Sequence, residues 1–160
     1  MANSTFNGPV RSENGFKNIV KSSTTGGVTS TMTLETYTAT ITVANGDTTG
    51  KETAVGIPAN FIPMGVTVAV TTASTNSVNL NDIGTDADTD GYVDGISAAL
   101  NTTGFKGFFG CNGVLGMSGF TTGASGLVGD EVELVVSGDP GSDTVIVLKF
   151  FGISSSSDAS

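Results

Sequence analysis

The chain has 160 residues, 38% of them hydrophobic, with 23 glycines, nine Phe, two Tyr, no Trp and a formal net charge of −9. That length suits one domain with a real core, and the acidic balance argues against nucleic acid and anionic membrane as partners. The lack of His and the single Cys111 exclude Ser–His, Cys–His and His–metal chemistry, along with any intrachain disulfide.

Charge is unevenly placed. Residues 1–21 hold Arg11, Lys17 and Lys21 against Glu13 alone, a balance of +2; the remainder holds three Lys and fourteen acids, a balance of −11. Within "STFNGPVRSENGFK" (Ser4–Lys17) the pairs Asn7-Gly8-Pro9 and Asn14-Gly15 mark turns. Phe6, Val10 and Phe16 stand as isolated apolar anchors with neither helical nor strand periodicity. Residues 1–21 therefore read as an extended arm, and "SSTTGGVTS" after it as a flexible joint. The N-terminus lacks the apolar stretch of a secretory signal, and no apolar run approaches the ~20 residues of a membrane helix. A soluble chain made in a reducing cytosol is expected.

The clearest pattern is "TYTATITVA" (Thr36–Ala44), with Tyr37, Ala39, Ile41 and Val43 on one side and threonines on the other. Strict alternation of β-branched residues predicts a half-buried antiparallel strand. "NGDTTG" supplies a turn, and "ETAVGIP" a short strand closed by Pro58. "NFIPMG" reads as a corner at Pro63. "VTVAVTT" (Val66–Thr72) alternates again, with Val66, Val68 and Val70 inward, and "SVNLND" is a further short strand. "YVDGISAAL" suits a strand or a brief helix, and the glycine-rich "GFKGFFGCNGVLGMSGF" a bulged path under the core. Cys111, set among apolar and small residues there, reads as a buried structural thiol. "DEVELVVSG" and "DTVIVLKFFGI" predict a hairpin turning at Asp139-Pro140-Gly141. About eight strands at this spacing predict an all-β chain: a single antiparallel β-sandwich or jelly roll over residues 22–153, with a solvated serine-rich tail over 154–160.

Between two of these strands lies "DADTDGYVDG" (Asp86–Gly95). Asp86, Asp88, Asp90, the Tyr92 carbonyl and Asp94 match the alternating oxygen ligands of a calcium loop, with Gly91 at the sharp turn. The closing bidentate position is Ser97 instead of Glu, and no helices flank the loop. Two readings stay open: a weak Ca2+ site that stiffens a loop, or a solvated acidic turn. No cofactor is required by either. Two-carboxylate glycosidase chemistry needs only Asp or Glu, but these acids fall in turns and on exposed strand faces, where nothing raises a pKa, so no enzymatic activity is expected. Sugar binding would need an aromatic platform, and Tyr92 beside the acidic loop is the one candidate.

"STFNGPVRSENGFK", "GIPANFIPMGVTVAVTTAS" (Gly56–Ser74) and the aspartate-rich "DIGTDADTDGYVDG" (Asp82–Gly95) together resemble small virion proteins of tailed phages, marine ones in particular. The resemblance implies a capsid decoration (cement) protein: a sandwich or jelly roll standing on the head surface, often a homotrimer, with no catalytic residues. It implies the major capsid protein as partner and the virion as final location, after synthesis in the host cytoplasm. An extended arm suits such a task, docking on the shell through Phe6, Val10 and Phe16 with Arg11 and Lys17 as its cations. A virion-surface knob, head fibre or tail-associated sandwich that binds host carbohydrate is the alternative.

Overall fold

The computed structural model describes residues 17–21, 24, 28–52, 61–111 and 131–156. The described residues contain strands and turns and no helix. Ten strands follow in order: β1 (Lys17–Lys21), β2 (Val28–Val43), β3 (Thr49–Lys51), β4 (Phe61–Thr72), β5 (Asn79–Thr85), β6 (Asp88–Val93), β7 (Ala98–Ala99), β8 (Gly104–Gly110), β9 (Glu133–Val136) and β10 (Thr144–Ser156). The first sheet has the order β1-β2-β10-β4-β8; the second has β3-β9-β5-β6, with β7 also on β5. Every pairing is antiparallel.

The alternation of β2 does what its pattern dictates. Ala39, Ile41 and Val43 are wholly buried, Tyr37 packs half-buried against them, and Thr36, Thr38, Thr40 and Thr42 are exposed. Val66, Val68 and Val70 of β4 and Ile146, Leu148 and Phe150 of β10 complete that inner face. Leu80, Ile83, Tyr92, Leu134 and Val136 of the second sheet meet them in one core. This is a β-sandwich whose two sheets are joined by apolar contact. Cys111 lies at its border, and burial pushes its thiol up to about 12, so it is protonated and inert at neutral pH.

Several expectations are corrected. "SSTTGGVTS" is not wholly a joint: its last three residues open β2, and Lys17–Lys21, read as the end of the arm, forms an edge strand on Val28–Thr33. Lys17 is paired with Thr33 there, whereas Phe6, Val10, Arg11 and Phe16 lie outside the described residues. Pro63 makes no corner. It lies buried within β4, and the irregularity falls at Met64, which is skipped between the pairings Phe151↔Gly65 and Gly152↔Pro63. Residues 53–60, which include most of "ETAVGIP", are also outside the described set. Ser154–Ser156, assigned to the tail, extend β10 opposite Thr31–Thr33.

The predicted hairpin of β9 and β10 does not form. β9 pairs with β3 and β5, while β10 pairs with β2 and β4, so the chain crosses between sheets at Ser137–Asp143. Alternation marks which side of a strand is buried but is the same whichever sheet the strand joins. Here the crossing loop is fixed by contacts beyond itself. The Asp139 carboxylate accepts from the backbone N–H of Gly46 and Gly141, the Asp143 carboxylate from that of Asn45, and the Pro140 carbonyl from those of Thr75 and Asn76. Gly141 adopts φ +71°, which suits glycine. β5 and β6 do form a tight hairpin, turning at Asp86-Ala87, where the backbones run so close that a Cβ on Gly84 would strike the Asp88 carbonyl.

Candidate interaction surface

The acidic hairpin separates the candidate ligands. Asp86, at the turn, points to Lys51 of β3, whose ammonium also lies 3.5 Å from the buried Glu133 of β9. The Lys51 bond holds the Asp86 carboxyl below its usual range. Burial first, then the hydrogen bond with Asp86, holds Glu133 above its own. Asp88 and Asp90 share one side of β6, and the bond between them is the main cause that raises Asp88. Asp94 is exposed past the strand, and Ser97, at the position of the missing closing ligand, is exposed in a left-handed conformation (φ 54°). Two of the candidate ligands are thus brought together, and among the described residues no three carboxylates gather as a metal site would require.

Tyr92 is corrected outright as a sugar platform. Its ring is buried in the core, edge-on to Phe150 with centroids 5.5 Å apart. Tyr37 is likewise occupied, donating its hydroxyl to Glu52 Oε2 at 2.6 Å.

The Lys51 cluster gives a pH-dependent expectation. Asp86, with a lowered pKa, stabilises the fold above its unfolded pKa and loses that contribution as pH falls. Glu133, with a raised one, stabilises most at low pH and loses its contribution as pH rises through the folded value. Replacing Lys51 by Met removes the cation facing both. The stability deficit of that variant should be largest near about pH 7 and shrink toward about pH 3, Glu133 taking up its proton first and Asp86, held below its ordinary range, only at the acid end. Urea melts at the two pH values measure it; a deficit independent of pH would contradict the assignment.

The more telling surface is the outer side of the first sheet. Its outward positions carry Thr36, Thr38, Thr40 and Thr42 on β2, Val145 and Val147 on β10, and Ala69 and Thr71 on β4. Lys149 is its exposed cation, and no described Asp or Glu shares this face. Glu35, on β2, is in phase with Ala39 and points the other way. Asp82, Asp86, Asp88, Asp90 and Glu133 all belong to the second sheet or its hairpin turn.

Toward one end this face becomes apolar. Leu34 of β2, Met64, Gly65 and Thr67 of β4, Phe108 of β8, and Phe151 and Gly152 of β10 line an open groove of about 360 Å³. Register explains the gathering: Phe151 sits opposite Gly65, and Thr67 opposite Phe108. The Phe108 ring lies over Gly65, where any Cβ would collide with it, and meets Phe151 edge-on at 6.1 Å. Leu34 is 76% exposed, Phe108 60% and Met64 45%, and Phe105 on β8 adds a further 68%-exposed ring. Large side chains left in water at this density mark a contact surface.

The sequence reading missed this groove, although a signal was present. Two Phe-Phe pairs, Phe108-Phe109 and Phe150-Phe151, fall within strands. Period-2 geometry forces one ring of each pair inward and the other outward: Phe150 is buried and Phe109 packs on the core, leaving Phe151 and Phe108 outside. No protein family, curated protein or solved structure matches this chain.

Proposed function

We propose that this chain is a non-enzymatic structural protein of a tailed-phage virion. It decorates and reinforces the capsid as a trimer, attached to the major capsid protein by its N-terminal segment and seated with the outer side of its first sheet against protein. The observation that carries this reading is the segregation of charge: an acidic chain keeps one whole sheet face free of carboxylates among the described residues and studs it with apolar side chains. Like charges across a contact are costly, so a strongly acidic molecule must clear them from any side that packs against another protein. The resemblance of Ser4–Lys17, Gly56–Ser74 and Asp82–Gly95 to small phage virion proteins supplies the identity of that partner. The proposal needs no cofactor.

Cosedimentation with empty capsids tests the seating. Thr40→Asp combined with Val147→Asp puts two charges on the outer face without touching the core and should weaken attachment by about tenfold or more. Neutralising Asp88 and Asp90 on the second sheet should leave it unchanged. Native-like binding by the Thr40/Val147 double variant would exclude this face from the contact.

A further inference from the structure

We infer that the apolar groove between Leu34 and Phe108 is the resting place of this chain's own N-terminal segment in the free protein, with Phe6 and Val10 as the side chains that fill it. This goes beyond capsid attachment and does not depend on it.

Three observations converge. The first is position: Lys17, where the described chain begins, is paired with Thr33, one residue from the groove's β2 wall at Leu34. The second is reach. Adjacent strands lie about 4.8 Å apart, so the groove, which runs from β2 to β8, lies between about 5 and about 20 Å from β1. Val10 and Phe6 stand seven and eleven positions before Lys17, giving reaches of up to about 23 and about 36 Å at ~3.3 Å per residue.

The third is chemical fit. Apolar atoms form the groove's walls, with Thr67 as the one residue there that carries a hydroxyl. Residues 1–16 carry apolar anchors that lack periodic partners of their own, and their charged side chains, Arg11 and Glu13, cancel. A second copy seated there would bring a net charge of −9 against −9. A tethered segment also acts at an effective concentration near the millimolar range for a short linker, which a separate molecule must match in solution. Resting in the groove covers the exposed rings and the anchors at once, so neither is open to non-specific association before a partner displaces them.

The test uses the full chain in solution, with no capsid, so its outcome is separate from that of the attachment proposal. With methionine methyls labelled, the Met64 resonance, already shifted by the Phe108 and Phe151 rings that line the groove with it, should move further from its native position in the Phe6→Ala, Val10→Ala variant than any other methionine resonance, while amide-exchange protection of β10 stays native. Trypsin provides an independent reading, because Arg11 is the sole arginine. Leu34→Asp, on the opposite wall of the contact and at an exposed position, leaves the sequence around Arg11 untouched. It should speed cleavage there by roughly tenfold or more, since cleavage follows the open population. A Met64 resonance unaffected by the Phe6/Val10 change, or cleavage unaffected by Leu34→Asp, would overturn the inference. A native Met64 position that moves toward that of the variant on dilution would overturn it too, assigning the groove to the segment of a second copy.

Discussion

Replacing Phe150 by alanine should remove about 3–5 kcal/mol from the free energy of unfolding. That is a large part of the ~5–15 kcal/mol available to a single domain. Phe150 sits on β10, the strand between β2 and β4, and is wholly buried there. Its ring meets Tyr92 of the second sheet edge-on at 5.5 Å and Tyr37 of β2 at 6.3 Å, so it is the aromatic link between the layers. Truncation leaves a cavity whose walls belong to three strands already fixed by their ladders and unable to close over it. It also strips Tyr92, at the centre of the core, of a ring partner. The control lies on the same sheet: Phe105→Ala, at a ring 68% exposed, should change stability by no more than about 0.5 kcal/mol. Urea unfolding of the two variants separates them. Equal losses would mean that Phe150 does not join the sheets as described.

The same pair of residues shows what a one-dimensional reading can recover. Burial depends on local alternation, so Ile41, Val43, Val66, Val68 and Val70 were legible as core, and the structure buries all of them. Sheet membership depends on which strands meet, which alternation does not encode; that is why β9 and β10 read as a hairpin and are found in different sheets. Strand length was also under-read. Val28–Thr33 carries little apolar alternation in sequence, yet β1 pairs along it on one side and β10 reaches Thr31–Thr33 on the other. The groove is a product of register alone. Leu34, Gly65, Phe108 and Phe151 are scattered through the sequence, and only the offset of β4 against β10, adjusted by the extra residue Met64, puts them together. The acidic loop shows the converse. Its spacing is that of a calcium site, but the same residues also form a tight hairpin, where Asp86 finds Lys51 and only Asp88 and Asp90 remain adjacent.

On the proposed function, attachment to the capsid should disappear when Phe6 and Phe16 are both changed to alanine. These anchors have no periodic apolar partners within residues 1–16, so a bound segment must bury them against another surface. Burying one Phe is worth roughly 1.5–3 kcal/mol. Phe16 counts in full, whereas Phe6, already covered in the free chain, counts only for the difference between the two surfaces. Losing both therefore weakens each subunit's hold by roughly tenfold or more, and in the proposed trimer the deficits multiply through effective concentration until no attachment survives. The same result is expected for a chain shortened by residues 1–16. The cut belongs there and not after Lys21, because Lys17–Lys21 is the edge strand paired with Val28–Thr33, and removing it would disturb the first sheet as well as the segment. Both variants should keep the cooperative unfolding of the native chain, since Phe150, Tyr92 and the rest of the core are untouched. Full capsid binding by the shortened chain would transfer the whole task of attachment to the outer face of the first sheet, where Leu34, Met64 and Phe108 are already exposed to meet a partner.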